Sequence, residues 1–167
     1  MKIAVDSYYY SDTDCYTVGV IFENWTDSEP VEIISCHTSR FGPYIPGQFY
    51  LRELPGLERL LASVDLSSID TVIVDGFVNF GDQHPGLGEH LKKDYLDQIN
   101  PSINIVGVAK TKFSGCEKFS EPVLRGKAIN PLWVQGTNPE NIKNMDGKYR
   151  LPTLLKILDK ETKKYKK

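Results

Sequence analysis

The chain lacks the features that would place it in a membrane, in a disulfide-stabilised scaffold or at a zinc site. No segment approaches the ~18 uninterrupted apolar residues of a membrane span. Its three cysteines, Cys15, Cys36 and Cys116, form no CxxC pair, which disfavours a disulfide framework and a zinc knuckle. Asp6 stands where a signal peptide needs its apolar centre. We therefore expect a cytoplasmic protein whose cysteines are buried or half-buried thiols.

What the chain does have is the composition of an ordinary globular domain. Of its 167 residues, 40% are hydrophobic, 25% are charged and 11% are aromatic, which excludes a disordered or collagen-like chain. No internal repeat, low-complexity tract or linker interrupts it, so we predict one domain over residues 1–167. A domain of about 150 residues buries roughly 70% of the surface of its unfolded chain, which is enough for a core.

Charge is divided unevenly along the chain. Residues 1–100 hold 6 Lys or Arg and 16 Asp or Glu, whereas residues 101–167 hold 14 and 6. Part of this asymmetry comes from the lysine-rich segment 160–167, which is typical of a solvated helix end. The rest suits a metal-dependent phosphodiesterase, which needs carboxylates to hold cations and lysines to hold a nucleic-acid strand.

The hydrophobic pattern predicts an α/β fold with a mixed sheet. The predicted strands cover residues 2–6, 15–23, 31–38, 70–75, 103–108, 123–128 and 131–135. The predicted helices cover 48–63, where Pro55 should bend or reset the helix, 86–98, and a segment that begins near Pro152. Because helix-linked strands usually run parallel, we expect three antiparallel strands followed by parallel ones, with helices packed on the sheet.

Three acidic residues stand out by their positions. Asp6 and Asp75 each end a predicted central strand, and Glu53 lies on the first predicted helix. Parallel neighbouring strands are ~4.8 Å apart, and ligands bind at their carboxyl edge, so both aspartates could contact one divalent cation. Clustered carboxylates without Cys or paired His favour Mg²⁺ or Mn²⁺ over zinc. The alternative is that these residues are turn formers or helix caps.

Five segments along the chain form a recognisable series. They are 3–6 (IAVD), 43–47 (PYIPG) followed by 51–53 (LRE), 72–76 (VIVDG), 105–110 (IVGVAK) and 149–152 (YRLP). In order and spacing they resemble the motifs of the endonuclease V family, repair and RNA-processing nucleases with a ribonuclease H-like fold. PYIPG followed by RE, and GVAK after a strand, are the specific motifs; VDG and a lone aspartate are not. The resemblance implies a divergent, shortened endonuclease V.

The resemblance also implies roles for individual residues. Asp6, Glu53 and Asp75 resemble the Mg²⁺ ligands, with Asp159 as a further metal-site residue and Mn²⁺ able to substitute. Lys110 resembles the lysine that holds the scissile phosphate, which completes the catalytic set. The implied nucleic-acid contacts are Tyr44, which lies on a proline-stiffened wedge, Pro46, Gly47, Gly76, Gly107 and Lys112, with Lys127 and Lys148 as further backbone contacts. We expect a monomer that hydrolyses inosine-containing DNA or RNA.

The loop after Asp75 departs from the family pattern DGxGxxHPR. Gly86, Leu87 and His90 keep the family's register, so residues 81–83 hold the HPR positions. The actual His84-Pro85 pair comes three residues later. We interpret His84 and His90 as a loop residue and a helix-face residue rather than as metal ligands.

These departures leave two alternative functions open. One is a nuclease that reads another base or nucleic-acid structure, because the altered loop helps to form the base pocket of the family. The other is a non-catalytic nucleic-acid-binding protein, because the chain starts at its first strand and residue 137 is Thr instead of the family's His. A nucleotide-binding domain is disfavoured, since no phosphate-cradling Gly-rich motif follows Asp6.

Overall fold

The fold is built on one mixed sheet of seven strands. A computed structural model describes residues 1–39, 45, 46, 48, 50–82 and 84–166, so the predicted contacts Tyr44 and Gly47 lie outside the described residues. The strands are β1 (Lys2–Ser11), β2 (Asp14–Phe22), β3 (Glu32–Thr38), β4 (Thr71–Asp75), β5 (Asn104–Ala109), β6 (Glu121–Val123) and β7 (Leu132–Gln135). The helices are α1 (Tyr50–Leu61), α2 (Leu87–Leu91), α3 (Asp97–Ile99), α4 (Pro139–Lys143) and α5 (Thr153–Thr162). A π-helical segment, Lys92–Leu96, joins α2 to α3.

Strand directions match the prediction from β1 to β5, whereas β7 and β6, which were expected to be parallel, pair antiparallel. The spatial order is β3-β2-β1-β4-β5-β7-β6. β1, β2 and β3 are antiparallel neighbours, whereas β4 runs parallel to both β1 and β5. The predicted α/β mixed sheet is therefore confirmed, with β1 and β4 paired in parallel at its centre.

The first strand is longer than predicted. The pattern predicts an end at Asp6, but β1 continues to Ser11 and stays paired with β2 up to Ser11, which lies opposite Asp14 after an irregularity that follows Tyr9. Three consecutive tyrosines favour a strand, because aromatic side chains pack well on a pleated surface. The parallel pairing with β4 nevertheless stops at Val5 and Val74. Asp6 therefore ends the parallel ladder rather than the strand.

Both faces of the sheet are covered by apolar side chains. One face packs against α1 and α2 through a cluster that includes Ile3, Val5, Val72, Val74, Leu57 and Leu91. The opposite face packs against α4 and α5 through a cluster that includes Ala4, Ile73, Val106, Ile142, Leu154 and Leu158. Side chains of β1 and β4 alternate between the two clusters, as expected for central strands buried on both faces.

Helix α1 continues through its proline. The helix begins at Tyr50 and is not reset at Pro55. Pro55 lies early in the helix, so it removes only the backbone hydrogen bond that would reach the carbonyl of Leu51. Burial of Leu57, Leu60 and Leu61 against the sheet offsets that loss.

The segment after β6 turns inward instead of continuing as a strand. The strand predicted over 123–128 ends at Val123, and Gly126 adopts a positive φ of 59°. A Cβ at Gly126 would lie 2.2 Å from the carbonyl oxygen of Lys148, so a side chain does not fit there. This turn directs the side chain of Arg125 into the protein, where only 4% of it is exposed.

Candidate functional site

The sheet brings Asp6 and Asp75 to the same edge. They directly follow Val5 and Val74, which are paired across β1 and β4. Strand alternation puts Asp6 on the face of Ala4 and Asp75 on the face of Ile73, which is the α5 side of the sheet. The backbone N–H of Ser7 donates a 2.8 Å hydrogen bond to Oδ1 of Asp6 and fixes that carboxylate.

Lys110 joins this edge from the next strand. It follows the last residue of β5, and its Nζ lies 3.5 Å from Oδ2 of Asp75 and 3.5 Å from Oδ1 of Asp159 on α5. Burial alone would lower the pKa of Lys110, but the charges of Asp75 and Asp159 outweigh it and raise that pKa. Lys110 is therefore a firmly charged cation between two carboxylates.

Asp159 is held by two lysines. Besides Lys110, Lys163 donates a 3.0 Å hydrogen bond to Oδ1 of Asp159 from one turn later in the chain. Burial would raise the pKa of Asp159, but Lys163 and Lys110 together lower it. Asp159 is thus ionised and adjoins Asp75 through Lys110.

Glu53 reaches the same edge from the opposite face. It lies in the first turn of α1 and is only 8% exposed. Asp6, Glu53 and Asp75 line one groove of about 760 Å³. The groove thus contains carboxylates from both faces of the sheet, which meet at the carboxyl ends of the parallel strands.

Burial and mutual repulsion perturb two of these carboxyl groups. Burial, followed by the charge of Asp75, raises the pKa of Asp6 from 3.8 to about 7. Burial, followed by the charge of Asp6, raises the pKa of Glu53 from 4.5 to about 8. A positive charge in the groove would therefore be stabilised by both groups.

The donor chemistry of the groove fits a hard cation. The groove offers carboxylate oxygens, the ligands that Mg²⁺ and Mn²⁺ prefer. Within the described ranges, no group of three or more His, Cys, Asp or Glu side chains that could hold a metal ion is present. Glu53 and the two aspartates approach from different faces of the sheet. Metal binding by Asp6, Glu53, Asp75 and Asp159 stays a prediction.

Two site-supporting residues were not predicted from the sequence. The Tyr9 hydroxyl donates a 3.0 Å hydrogen bond to the carbonyl oxygen of Arg52, next to Glu53, and burial followed by the Glu53 charge raises the pKa of Tyr9. Gln135 is 7% exposed, and its Oε1 accepts hydrogen bonds from the N–H groups of Val78 (2.6 Å) and Asn79 (3.2 Å). Gln135 therefore fixes the loop that follows Asp75. A Tyr in a run of three and a Gln at a strand end carry no sequence signal for these roles.

Gln135→Met should loosen this loop. The substitution leaves the N–H groups of Val78 and Asn79 without their acceptor, which we expect to lower stability by about 2 kcal/mol. Hydrogen exchange of these two amides should accelerate more than exchange in β4 and β5. Gln98, which is exposed on α3, provides the matched control Gln98→Met, whose stability should stay within about 0.5 kcal/mol of wild type. Unchanged exchange at Val78 would contradict this role.

The two predicted glycines support the same loop. Gly76 has a φ of +131°, a conformation that side chains rarely adopt. Gly107 is buried in β5, where a Cβ would lie 2.5 Å from the carbonyl oxygen of Gly76. Their predicted contacts with nucleic acid remain untested, but both residues determine how the chain leaves Asp75.

Other predicted residues lie at the surface. Pro46, Lys112, Lys127 and Lys148 are exposed. His84 is exposed in the loop, and His90 on α2 stacks on Tyr50 with ring centroids 3.6 Å apart. His90 also lies 3.5 Å from Asp94 on the following turn. Their interpretation as a loop residue and a helix-face residue agrees with these positions.

The mixed sheet, with carboxylates and a lysine at the carboxyl edge of its parallel strands, defines an α/β protein of the ribonuclease H-like type. The family model for endonuclease V matches residues 3–146, and the chain belongs to this family. It is therefore a nuclease that acts on nucleic acid. No curated protein sequence matches the chain.

Solved endonuclease V structures share the fold. One, from Ciona intestinalis, is in complex with a 24mer DNA containing an inosine followed by a ribo-adenosine; its TM-score is 0.74, with 16% identity over 98% of this chain and 84% of that chain. The catalytic domain of human endonuclease V gives a TM-score of 0.70, with 18% identity over 98% of this chain and 81% of that chain. The Bacillus subtilis protein gives 0.65, with 19% identity over 98% and 78%. In the described part of the chain, no helix has the length and apolar character needed to cross a membrane.

Proposed function

We propose that this nuclease is a Mg²⁺-dependent endonuclease that hydrolyses phosphodiester bonds in inosine-containing DNA or RNA. The observation that carries the proposal is the shared groove of Asp6, Glu53 and Asp75, with Lys110 beside Asp75. The Ciona relative bound to inosine-containing DNA supports the same substrate class. Its action in the cytoplasm as a monomer is part of the proposal.

The proposed tasks of the site residues are metal binding, charge compensation at the phosphate and support of Glu53. Asp6, Glu53 and Asp75 would hold Mg²⁺, and Asp159 would adjoin them through Lys110. When bound, the ion supplies Lewis-acid stabilisation of the phosphate and lowers the pKa of water. Lys110 offsets the negative charge that develops on the phosphate oxygens during attack. Tyr9 anchors the first turn of α1, which carries Glu53, through its 3.0 Å hydrogen bond to the carbonyl oxygen of Arg52.

The groove also provides space for an unstacked base. Its volume of about 760 Å³ is within the range of small-molecule sites. Tyr50, supported by the stacked ring of His90, and Phe80, which is 46% exposed, stand in its lining. Aromatic walls bind a flipped base by stacking. Pro85 and Gly86 also line the groove, so the altered loop contributes directly to base selection.

The test is cleavage of matched oligonucleotides with and without inosine. DNA and RNA strands are incubated with wild type, Asp75→Asn and Asp70→Asn in Mg²⁺, Mn²⁺ or EDTA. Asp70 precedes β4 and is the matched control, because it lies at the opposite end of the strand that Asp75 ends. We expect Mg²⁺-dependent cleavage of inosine strands, at least about 100-fold slower in Asp75→Asn and unchanged in Asp70→Asn.

Two other outcomes would replace this proposal. Equal cleavage of inosine and control strands would indicate a nuclease that reads another feature. Binding that is insensitive to EDTA and to Asp75→Asn, without cleavage in either metal, would indicate a non-catalytic nucleic-acid-binding protein. The altered loop after Asp75 is the observation that favours testing both.

A further inference from the structure

A second aromatic surface lies beside the groove on the α5 face of the sheet. It consists of Tyr8, Tyr10, His37, Tyr165, Lys164 and Lys166, and is called the tyrosine surface below. The Tyr8 and Tyr10 rings are 4.9 Å apart, and Tyr165 stacks on His37 with centroids 5.9 Å apart. Tyr165 is 53% exposed, so an aromatic face remains open to solvent.

The tyrosine surface is fixed by hydrogen bonds rather than by loose contacts. The Tyr10 hydroxyl donates to the carbonyl oxygen of Thr162 (2.7 Å) and accepts from the N–H of Tyr165 (3.0 Å). The ring of Tyr165 also packs on the buried ring of Tyr16, with centroids 5.1 Å apart. The segment after α5 is thereby held against β1 and β2.

The tyrosine surface continues directly from the catalytic groove. Asp6, Tyr8 and Tyr10 alternate onto the same face of β1, so Tyr8 and Tyr10 lie about 7 and 13 Å beyond Asp6 along the strand. Tyr8 and Tyr9 line both the catalytic groove and a neighbouring groove of about 510 Å³, which also includes Tyr165 and Lys166. A ligand leaving the carboxylates in this direction meets tyrosine rings next.

The charge on the tyrosine surface favours an anionic ligand. Lys166 lies 5.9 Å from the Tyr8 ring centroid, and Lys164, whose Nζ is also 3.6 Å from Glu161, lies 5.4 Å from the ring centroid of Tyr165. Asp14 lines the same groove, but its carboxylate lies 3.7 Å from His37. Lysines interleaved with exposed aromatic rings are the arrangement by which proteins bind single-stranded nucleic acid without reading its sequence.

We propose that the tyrosine surface binds the single-stranded flank of the nucleic acid that occupies the catalytic groove. Bases stack on the tyrosine rings, and phosphates contact Lys164 and Lys166. This inference rests on the proposed function, because it needs a nucleic acid in the groove. The tyrosine surface is then a second binding site, through which the flanking strand adds to the affinity of the protein for the nucleic acid.

The test compares the binding of a short and a long single-stranded oligonucleotide by fluorescence anisotropy in EDTA. The short strand covers only the catalytic groove, whereas the long one also reaches the tyrosine surface. Tyr165→Ala should weaken binding of the long strand about tenfold and leave the short strand unaffected, and Tyr165→Phe should restore binding. Lys164→Ala combined with Lys166→Ala should lower the salt slope for the long strand by about 1.4, since each single-strand phosphate contact contributes roughly 0.7.

Tyr149→Ala is the matched control. Tyr149 is 55% exposed and has Lys156 over its ring at 4.1 Å, but its groove shares no described residue with the catalytic one. The inference is overturned if Tyr165→Ala binds the long strand like wild type, or if Tyr149→Ala weakens it equally. It is also overturned if polyglutamate displaces the long strand at equal charge. Failure of the proposed function would appear separately, as a wild type that does not cleave inosine strands in Mg²⁺.

Discussion

Asp6→Asn is expected to abolish most cleavage and, in the absence of divalent ions, to stabilise the protein. Asn is the same size and still accepts the hydrogen bond from Ser7, so the fold is preserved. The variant loses the charge that would hold Mg²⁺ with Glu53 and Asp75, so cleavage should fall at least about 100-fold. A gain in stability together with a loss of activity would mean that Asp6 destabilises the folded protein and is retained for its function.

The gain in stability should depend on pH. The pKa of Asp6 is about 7 in the folded protein and 3.8 when unperturbed, because burial and Asp75 disfavour its charged form. Between these values the folded state binds a proton that the unfolded state has released, so stability falls as pH rises. Asp6→Asn removes this penalty. The variant should match wild type near pH 4 and be more stable by on the order of 2 kcal/mol at pH 8.

Thermal unfolding in EDTA between pH 4 and pH 8 measures this effect. A gain of that size corresponds to about 4–8 °C in Tm for a chain of this length. Asp70→Asn serves again as the control and should show no gain that grows with pH, because the pKa of Asp70 is lowered rather than raised. A Tm difference between Asp6→Asn and wild type that is constant with pH, or negative at pH 8, would contradict the electrostatic account of the site.

Arg125→Met should produce the largest loss of stability, about 3–5 kcal/mol. The guanidinium donates hydrogen bonds to five backbone carbonyl groups, which belong to Lys143, Met145, Gly147, Tyr149 and Arg150. Burial lowers the pKa of Arg125, but these contacts keep the group hydrogen-bonded. Met fills a similar volume and satisfies none of the carbonyls.

The same change at an exposed arginine gives the control. Arg59 is exposed near the end of α1, and Arg59→Met should alter stability by no more than about 0.5 kcal/mol. Urea unfolding of both variants at pH 7 provides the measurement. If Arg125→Met and Arg59→Met have equal midpoints, then Arg125 does not organise the segment between β6 and α5.

The strands β1 to β5 and their directions were predictable because the pattern of residues is locally consistent, whereas the antiparallel pairing of β7 and β6 was not predicted. Apolar runs such as 70–75 and 103–108 are typical of strands covered on both faces, and they pair in parallel as expected. The length of β1 was not predictable, because Asp6 and the polar segment that follows its tyrosines suggest an early end. Only pairing with β2 extends the strand to Ser11.

The site was predictable where it depends on strand ends. Asp6 and Asp75 directly follow the last parallel pair of β1 and β4, and Lys110 follows β5, so their proximity results from the sheet. The roles of Gln135, Arg125 and Tyr9 depend on contacts between segments that are distant in sequence, and no local pattern encodes them. The inward orientation of these polar side chains depends on the path of the loops, which the local pattern does not predict.

The proposed hydrolysis requires Asp6, Glu53 and Asp75 to hold one divalent cation together. The most direct measurement is Mn²⁺ binding at pH 8, followed by electron paramagnetic resonance of the free ion, for wild type, Asp75→Asn and Asp70→Asn. We predict that wild type and Asp70→Asn bind Mn²⁺ equally and that Asp75→Asn binds it at least about tenfold more weakly. Equal Mn²⁺ affinity in Asp75→Asn and wild type, or no binding to wild type, would contradict the account.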